Sequence, residues 1–381
     1  MEQPENLHPF VAVNRHKGEV VHALLKQHRM LNSDLYPQEI ENDMVAFPLL
    51  ETVAHDAVET CLQSVDLKPI FSVLGASVQP LVDPHRRLAK AVASWVERHG
   101  EEVHADVTAS VPSKWERLGG LILLPEEVNE QSSWVEVMNH PRCEDMWLSI
   151  LDALKGDSLG IQAPIANDTF RSSQVKMLYG HSEVTFLDHG ITYTFDAAKV
   201  MFSSGNITER RRIGAISMEG ETVIDAYAGI GYYTLPMLIH SHAIHVHACE
   251  MNPASIKGLQ EGAEANNVSD RLTVHEGDNQ VSLTRLVGIA DRCHLGLLPS
   301  SEPVWELALK ALKSEGGWLH VHMNVEEEKI PSWMEETRRR FQTWADQQNL
   351  GFEVHNRHLE RVKWFAPFVR HVVLDIECQP V

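Results

Sequence analysis

TVIDAYAGIGYYTLP, residues 222–236, is the stretch on which the fold turns. Its opening apolar run closes on Asp225, glycines follow at 229 and 231, and from Tyr232 to Ile239 the apolar residues fall at helical spacing despite Pro236. Strand, glycine turn and helix in that order put a loop at the carboxyl end of a strand, where open α/β sheets bind ligands. The loop has no G-K-[ST] and lacks the third glycine of the dinucleotide fingerprint, so it is not a phosphate cradle of either kind.

Downstream, the runs AIHVHACE, RLTVHEGD, RCHLGLLP and GWLHVHM alternate with segments of helical composition, which predicts a mostly parallel α/β sheet. PFVRHVVLDIEC, after the Pro367 break, alternates Val369, His371, Val373 and Asp375 against Arg370, Val372, Leu374 and Ile376 and reads as the sheet's closing strand. Upstream, SEVTFLDHGITYTF reads as a hairpin turning at Asp188-His189-Gly190. Earlier still, only a helix over residues 17–27 and a short buried strand in GGLILLP, residues 119–125, stand out. The expected organisation is an N-terminal module over 1–150, a connecting segment with the hairpin over 151–215, and a Rossmann-like catalytic domain over 216–381.

Among 381 residues, 53 Asp and Glu oppose 33 Lys and Arg, for a net charge of −20. That balance disfavours a nonspecific DNA-coating protein and a binder of anionic membranes, while leaving room for a local basic surface. The start, MEQPENLHPFVAV, lacks the basic and apolar segments of a signal peptide, and no apolar run reaches roughly 18 residues, so the chain is expected neither to be secreted nor to span a membrane. Five cysteines without C-x-x-C spacing fit a reducing compartment, with the cytosol as the default.

Two further strand ends sharpen the ligand. Glu250, in ACEMNP, lies roughly 20 residues past the glycines, where a carboxylate accepts hydrogen bonds from both ribose hydroxyls. Asp278 and Asn279, in EGDN, offer an acceptor for an adenine amino group and an amide for a ring nitrogen. Each has a plainer reading by itself: Asp225 as a turn residue, Glu250 as a solvated strand end, Asp278-Asn279 as a helix cap. Together they form a nucleoside site without phosphate machinery, and S-adenosylmethionine is the cofactor that fits it best.

The segments FSSGNITERRR (residues 202–212), DAYAGIGYYTLP (225–236), HACEMNP and EGDN resemble those of the tRNA wybutosine-synthesising aminocarboxypropyltransferases, cousins of the tRNA guanosine N1-methyltransferases. NDTFRSSQ (167–174), GLLPSS and RVKWFAP…HVVLDIEC extend the similarity from about Ile161 to the C-terminus. The resemblance implies a class I S-adenosylmethionine-dependent methyltransferase-like fold with a smaller α+β N-terminal module facing RNA. It implies an enzyme that transfers the 3-amino-3-carboxypropyl group of S-adenosylmethionine to C7 of 4-demethylwyosine beside the anticodon of tRNA(Phe), releasing methylthioadenosine.

By the same resemblance, Ser203 and Arg210 contact the methionine moiety, Glu250 the ribose, and Asp278 with Asn279 the adenine, while Glu209 matches the general base of the methyltransferase cousins. Nitrogen methyltransferases often carry Asn-Pro-Pro-Tyr after the fourth strand; here Gly296-Leu297-Leu298-Pro299-Ser300 stands in that place, which disfavours a guanosine N1-methyltransferase. A noncatalytic RNA-binding scaffold of the same fold is a third reading, opposed by the intact nucleoside constellation. His245 with His247, and His320 with His322, share strand faces but lack metal-ligand spacing to Cys or carboxylates, so no metal is expected. Candidate RNA contacts are Arg171, Lys176, Arg338 to Arg340, Arg357, Arg361, Lys363 and Arg370, with the 335–340 segment also readable as an ordinary paired helix surface.

Overall fold

The computed structural model describes residues 7–32, 35–41, 43–65, 67–75, 83–99, 106–163, 173–202 and 204–381. They form two compact units, Met1–Ser113 with Leu148–Leu154, and Lys114–Trp147 with Lys155–Val381. No described helix is long and apolar enough to cross a membrane.

In the first unit β1 (Leu7–Asn14), α1 (Gly18–Gln27), β2 (Gln38–Ile40), β3 (Met44–Pro48), α2 (His55–Leu62), β4 (Ile70–Gly75) and α3 (Pro84–His99) follow in order. Their antiparallel sheet runs β2-β3-β1-β4. Alternation along β1 sends Val11 and Val13 against Val21, Leu25, Val58 and Leu62, and Phe10 and Ala12 to the opposite face. Both faces are therefore covered, and the period-two pattern is hidden in a run that is apolar throughout.

The second unit opens with β5 (Glu116–Leu118), β6 (Leu121–Leu124), α4 (Ser132–Asn139), α5 (Cys143–Leu154), β7 (Ser158–Ile161) and β8 (Lys176–Tyr179), with α5 running on into the stretch assigned to the first unit. The strand in GGLILLP is thus β6, in a small sheet ordered β5-β6-β7-β8. The hairpin follows as β9 (Glu183–Asp188) and β10 (Ile191–Asp196), paired Asp188 to Ile191 and Val184 to Phe195. Its inner face, Val184, Ile191, Tyr193 and Phe195, enters the core beside Val223 and Leu259.

Next come α6 (Ile207–Gly214), β11 (Thr222–Asp225), α7 (Thr234–Ile239), β12 (His245–Glu250), α8 (Pro253–Ala265), β13 (Leu272–Glu276), α9 (Asn279–Leu283), β14 (Arg292–Leu295), α10 (Trp305–Ala311), β15 (Gly317–Glu326), α11 (Ile330–Gln347), β16 (Phe352–Ala366) and β17 (Val369–Pro380). The sheet order is β13-β12-β11-β14-β15-β17-β16, parallel from β13 to β15, with β17 antiparallel to both of its neighbours. Val223 of β11 faces one apolar cluster and Ile224 the other, so helices cover both sides. α8 approaches β10 so closely that a Cβ on Gly258 would lie 2.7 Å from the Thr194 carbonyl oxygen.

β17 is not the closing strand. It lies between β15 and β16, and β16 forms the edge. FEVHNRHLERVKWFA is too polar to read as a strand, and register shifts between Asn356 and His358, Arg361 and Lys363, and Trp364 and Ala366 break its alternation.

Candidate functional site

Strand order reverses between β11 and β14, and the crevice beyond their carboxyl ends is where such sheets hold ligands. A cleft of about 440 Å³ opens there, lined by the β11 loop (Ala226, Tyr227, Gly229), Glu250 to Asn252 after β12, Gly277 and Asn279 after β13, and Gly296 to Leu298 after β14. Val200, Met201, Asn206, Arg210, Lys363 and Phe365 close the opposite side. Gly231, at φ 92°, allows the turn: a Cβ there would lie 2.8 Å from Leu235 and Leu259 side-chain carbons.

Glu250, the last residue of β12, lines the cleft. Its Oε2 accepts from Gly229 N at 2.8 Å, and its Oε1 from Met251 N at 2.9 Å and Asn252 N at 2.8 Å. Burial raises its pKa from the ordinary value, and these three backbone donors oppose that rise. A carboxylate accepts about four hydrogen bonds, so Oε2 keeps capacity for a ligand hydroxyl.

Asp278 is exposed and caps α9, accepting from Gln280 N at 2.8 Å, and Asn279 donates through Nδ2 to the Ala226 carbonyl at 2.8 Å. The cap reading of this pair holds in the structure, with Asn279 also lining the cleft. Ser203 lies outside the described residues.

Arg210 is buried on the cleft wall, 2.8 Å from Asp188 and 5.0 Å above the Phe202 ring. Lys363 enters from β16 and lies against the backbone before α6, where a Cβ on Gly205 would be 2.7 Å from Nζ. Burial and the nearby Arg210 lower the Lys363 pKa. Lys363, and Arg210 with part of its charge met by Asp188, face one partly desolvated space that favours an anion. Beside them the buried Asn206 Oδ1 has no hydrogen-bond partner. Sequence reasoning missed Asn206 and gave Lys363 only to RNA. An Asn four residues before the arginine, on the next turn of what becomes α6, is the signal that was available.

Glu209 is not among the residues lining the cleft. Buried beneath it, both carboxylate oxygens accept from Arg212 at 2.8 Å, and Arg212 also donates to Asp375 at 2.7 and 3.1 Å. Burial raises the Glu209 pKa, against the pull of Arg212. Asp375 in turn lies 2.6 Å from His320 Nδ1, and Arg292 reaches His320 Nε2 at 2.9 Å. A guanidinium can only donate, so Nε2 is the acceptor and the His320 proton sits on Nδ1, facing Asp375. A second chain links His294, His322 and His371 through contacts of 3.0 Å each, and Tyr233, which lines the cleft, packs its ring 4.1 Å from His294. The histidines of β15 are thus satisfied core residues, whereas His245 and His247 are half-buried beside Thr273 and His275.

Most of the basic candidates are paired with acids or amides. Arg357 contacts Glu377, Arg361 and Arg370 share Glu327, Arg338 contacts Glu335, Arg340 contacts Glu302, and Lys176 reaches Asn129. Arg171 lies outside the described residues.

Residues 185–354, which hold most of this cleft, match the model of the TRM5/TYW2 methyltransferase domain. The chain is 38% identical to the Danio rerio tRNA wybutosine-synthesizing protein 2 homolog, over 89% of its own length and 87% of the relative's. It is 34% identical to the Arabidopsis thaliana tRNA wybutosine-synthesizing protein 2/3/4 over 93% of its length, and spans 35% of that longer protein. Among solved structures it is similar to P. horikoshii TYW2 in complex with MeSAdo (TM-score 0.59, 27% identity, 76% of this chain and 99% of that one). It is likewise similar to M. jannaschii TYW2 in complex with AdoMet (TM-score 0.54, 26% identity, 70% of this chain and all of that one). A switch-point cleft with a carboxylate at the second strand end, carried on this sheet order and matched across most of its length, places the chain in the TRM5/TYW2 family.

Proposed function

We infer that the protein is an S-adenosylmethionine-dependent tRNA aminocarboxypropyltransferase of wybutosine biosynthesis. tRNA is its substrate. The tRNA acted on is tRNA(Phe) carrying 4-demethylwyosine, modified at C7, and the enzyme works in the cytoplasm. The observation that carries this reading is the cleft itself. It has the Glu250 carboxylate at the second strand end, Arg210 and Lys363 on its wall, and Gly296-Leu297-Leu298 where a nitrogen methyltransferase would present a carboxamide.

The cleft's donor set fits the cofactor. Glu250 accepts one ribose hydroxyl through the capacity left on Oε2, one fewer than the pair expected from the sequence. Asp278, exposed and capping α9 through one oxygen, is assigned to the adenine amino group through its other oxygen, and Asn279, which lines the cleft, to the ring. Arg210 and Lys363 hold the methionine carboxylate, and the orphaned Asn206 Oδ1 accepts from its ammonium; Ser203 is given to the same moiety by the family resemblance alone. S-adenosylmethionine brings a sulfonium with three attackable carbons. Which of them meets the nucleophile is set by how these residues aim it, so orientation carries most of the catalysis. Glu209 acts in this reading by holding Arg212, a neighbour on the same helix whose further bonds to Asp375 of β17 anchor α6 and with it Arg210.

Two outcomes check the reading. With wild-type protein, S-adenosylmethionine and precursor-bearing tRNA, mass spectrometry is expected to find methylthioadenosine and a matching mass gain on the RNA. S-adenosylhomocysteine would instead make the enzyme a methyltransferase, and neither product with cofactor bound would favour an inert scaffold. In calorimetry, Glu250→Gln is expected to weaken cofactor binding about tenfold or more, because a charge-assisted acceptor becomes a neutral one. Unchanged affinity would remove Glu250 from the ribose.

A further inference from the structure

The β16–β17 hairpin turns through Pro367-Phe368, since β16 ends at Ala366 and β17 begins at Val369. Two-residue hairpin turns with positive φ favour Gly, Asn or Asp. Here Phe368 adopts φ 64° and is 82% exposed. A bulky side chain in the left-handed region is costly, and so is an aromatic ring left in water, and neither cost supports the fold. Phe365 and Trp364, 58% and 52% exposed, stand just before the turn on β16, at its register shift between Trp364 and Ala366.

The surroundings give the patch a direction and a chemistry. Phe365 and Lys363 line the cofactor cleft, so the aromatic surface begins at its mouth. Arg370 lies 3.5 Å over the Trp364 ring and is also paired with Glu327 at 2.8 Å, which holds the ring rigid and spends the cation. The Phe368 carbonyl accepts from Glu327 N at 2.9 Å, pinning the turn from below. What remains is a preorganised set of aromatic faces with little phosphate-gripping charge. That suits unstacked bases of a single-stranded loop, which protein aromatics bind face to face without reading their sequence.

We propose that Trp364, Phe365 and Phe368 form a stacking platform for the anticodon-loop bases flanking the modified nucleotide, holding the loop open so that the target base enters the cleft. The proposal rests on the reading of that cleft as the place where a tRNA base is modified.

The test uses full-length protein and a fluorescein-labelled anticodon stem–loop RNA, intact or with abasic sites at the two flanking positions, read by anisotropy. Phe368→Gly is expected to bind the intact loop about tenfold more weakly than wild type, with an unfolding temperature equal to or above wild type because the strained turn is relieved. The abasic loop is expected to lose affinity for wild type and little further for Phe368→Gly. Phe365→Ala, away from the turn, is expected to behave the same way without the gain in stability. Equal affinity of wild type and Phe368→Gly for the intact loop would overturn the platform, as would a shift in sedimentation with RNA affinity unchanged, which would make the tip a self-association surface. Wild-type protein that binds the loop in this base-dependent manner but releases no methylthioadenosine would uphold the platform while counting against the catalytic reading.

Discussion

Lowering the pH from 7 to 5 is expected to cost the protein roughly 2 kcal/mol for each of His320 and His371, about 4 kcal/mol together, a large part of the 5–15 kcal/mol that typically stabilises a folded protein. Burial pushes both imidazoles down from 6.5 to about 4, and burial between His294 and His371 holds His322 well below its ordinary value too. The sign follows from proton counts. Below 6.5 the unfolded chain binds protons on these rings and the folded chain does not, so stability falls as pH drops from 6.5 towards 4. Asp375 acts in a lower window. Burial would raise it, but His320 and Arg212 hold it well below the usual carboxylate range, so its stabilisation persists until the pH falls below that range. Urea unfolding at pH 7, 6 and 5 at constant ionic strength should show the midpoint moving steadily down. A flat profile would mean that the rings take up protons without unfolding.

Arg212→Met should destabilise the fold by about 3–5 kcal/mol. Arg212 is the shared partner of Glu209 and Asp375, whose side chains are 0% and 7% exposed. Removing the guanidinium leaves two carboxylates buried near each other, and desolvation then forces protonation or local opening. A fall in the urea midpoint with an unchanged m-value would report this loss. The triple substitution Arg212→Met, Glu209→Gln and Asp375→Asn removes both stranded charges and should recover much of it. If the single variant proves as stable as wild type, the network does not hold α6.

How far such features can be read from sequence depends on where their partners lie. The parallel strands were legible because two covered faces require near-continuous apolar runs, as in TVIDAYA and GWLHVHM. The hairpin was legible because its alternation and its Asp-His-Gly turn are local. Glu250 could be placed for the same reason: the glycines and the strand end lie within one β-loop-α-β unit. The buried network had no such signature. Glu209 and Arg212 on α6 meet Asp375 some 160 residues later in the chain, and nothing within a short window distinguishes them from a solvated helix face. Asp278 shows the reverse failing, since one EGDN string serves equally as a cap and as a ligand site until the helix after it is seen.

The bulges of β16 have a bearing on the protein's behaviour at high concentration. Fifteen residues of exposed sheet margin would ordinarily invite a second chain to zip alongside. Three interruptions, at Asn356 to His358, Arg361 to Lys363 and Trp364 to Ala366, cut that margin into lengths too short to template a partner, and Glu353, Arg357, Glu360 and Arg361 put charge along it. The irregularity that hid this strand from sequence reading is the same one that guards it against fibril growth, and it lets the hairpin carry bare aromatic rings at its end without becoming sticky along its length.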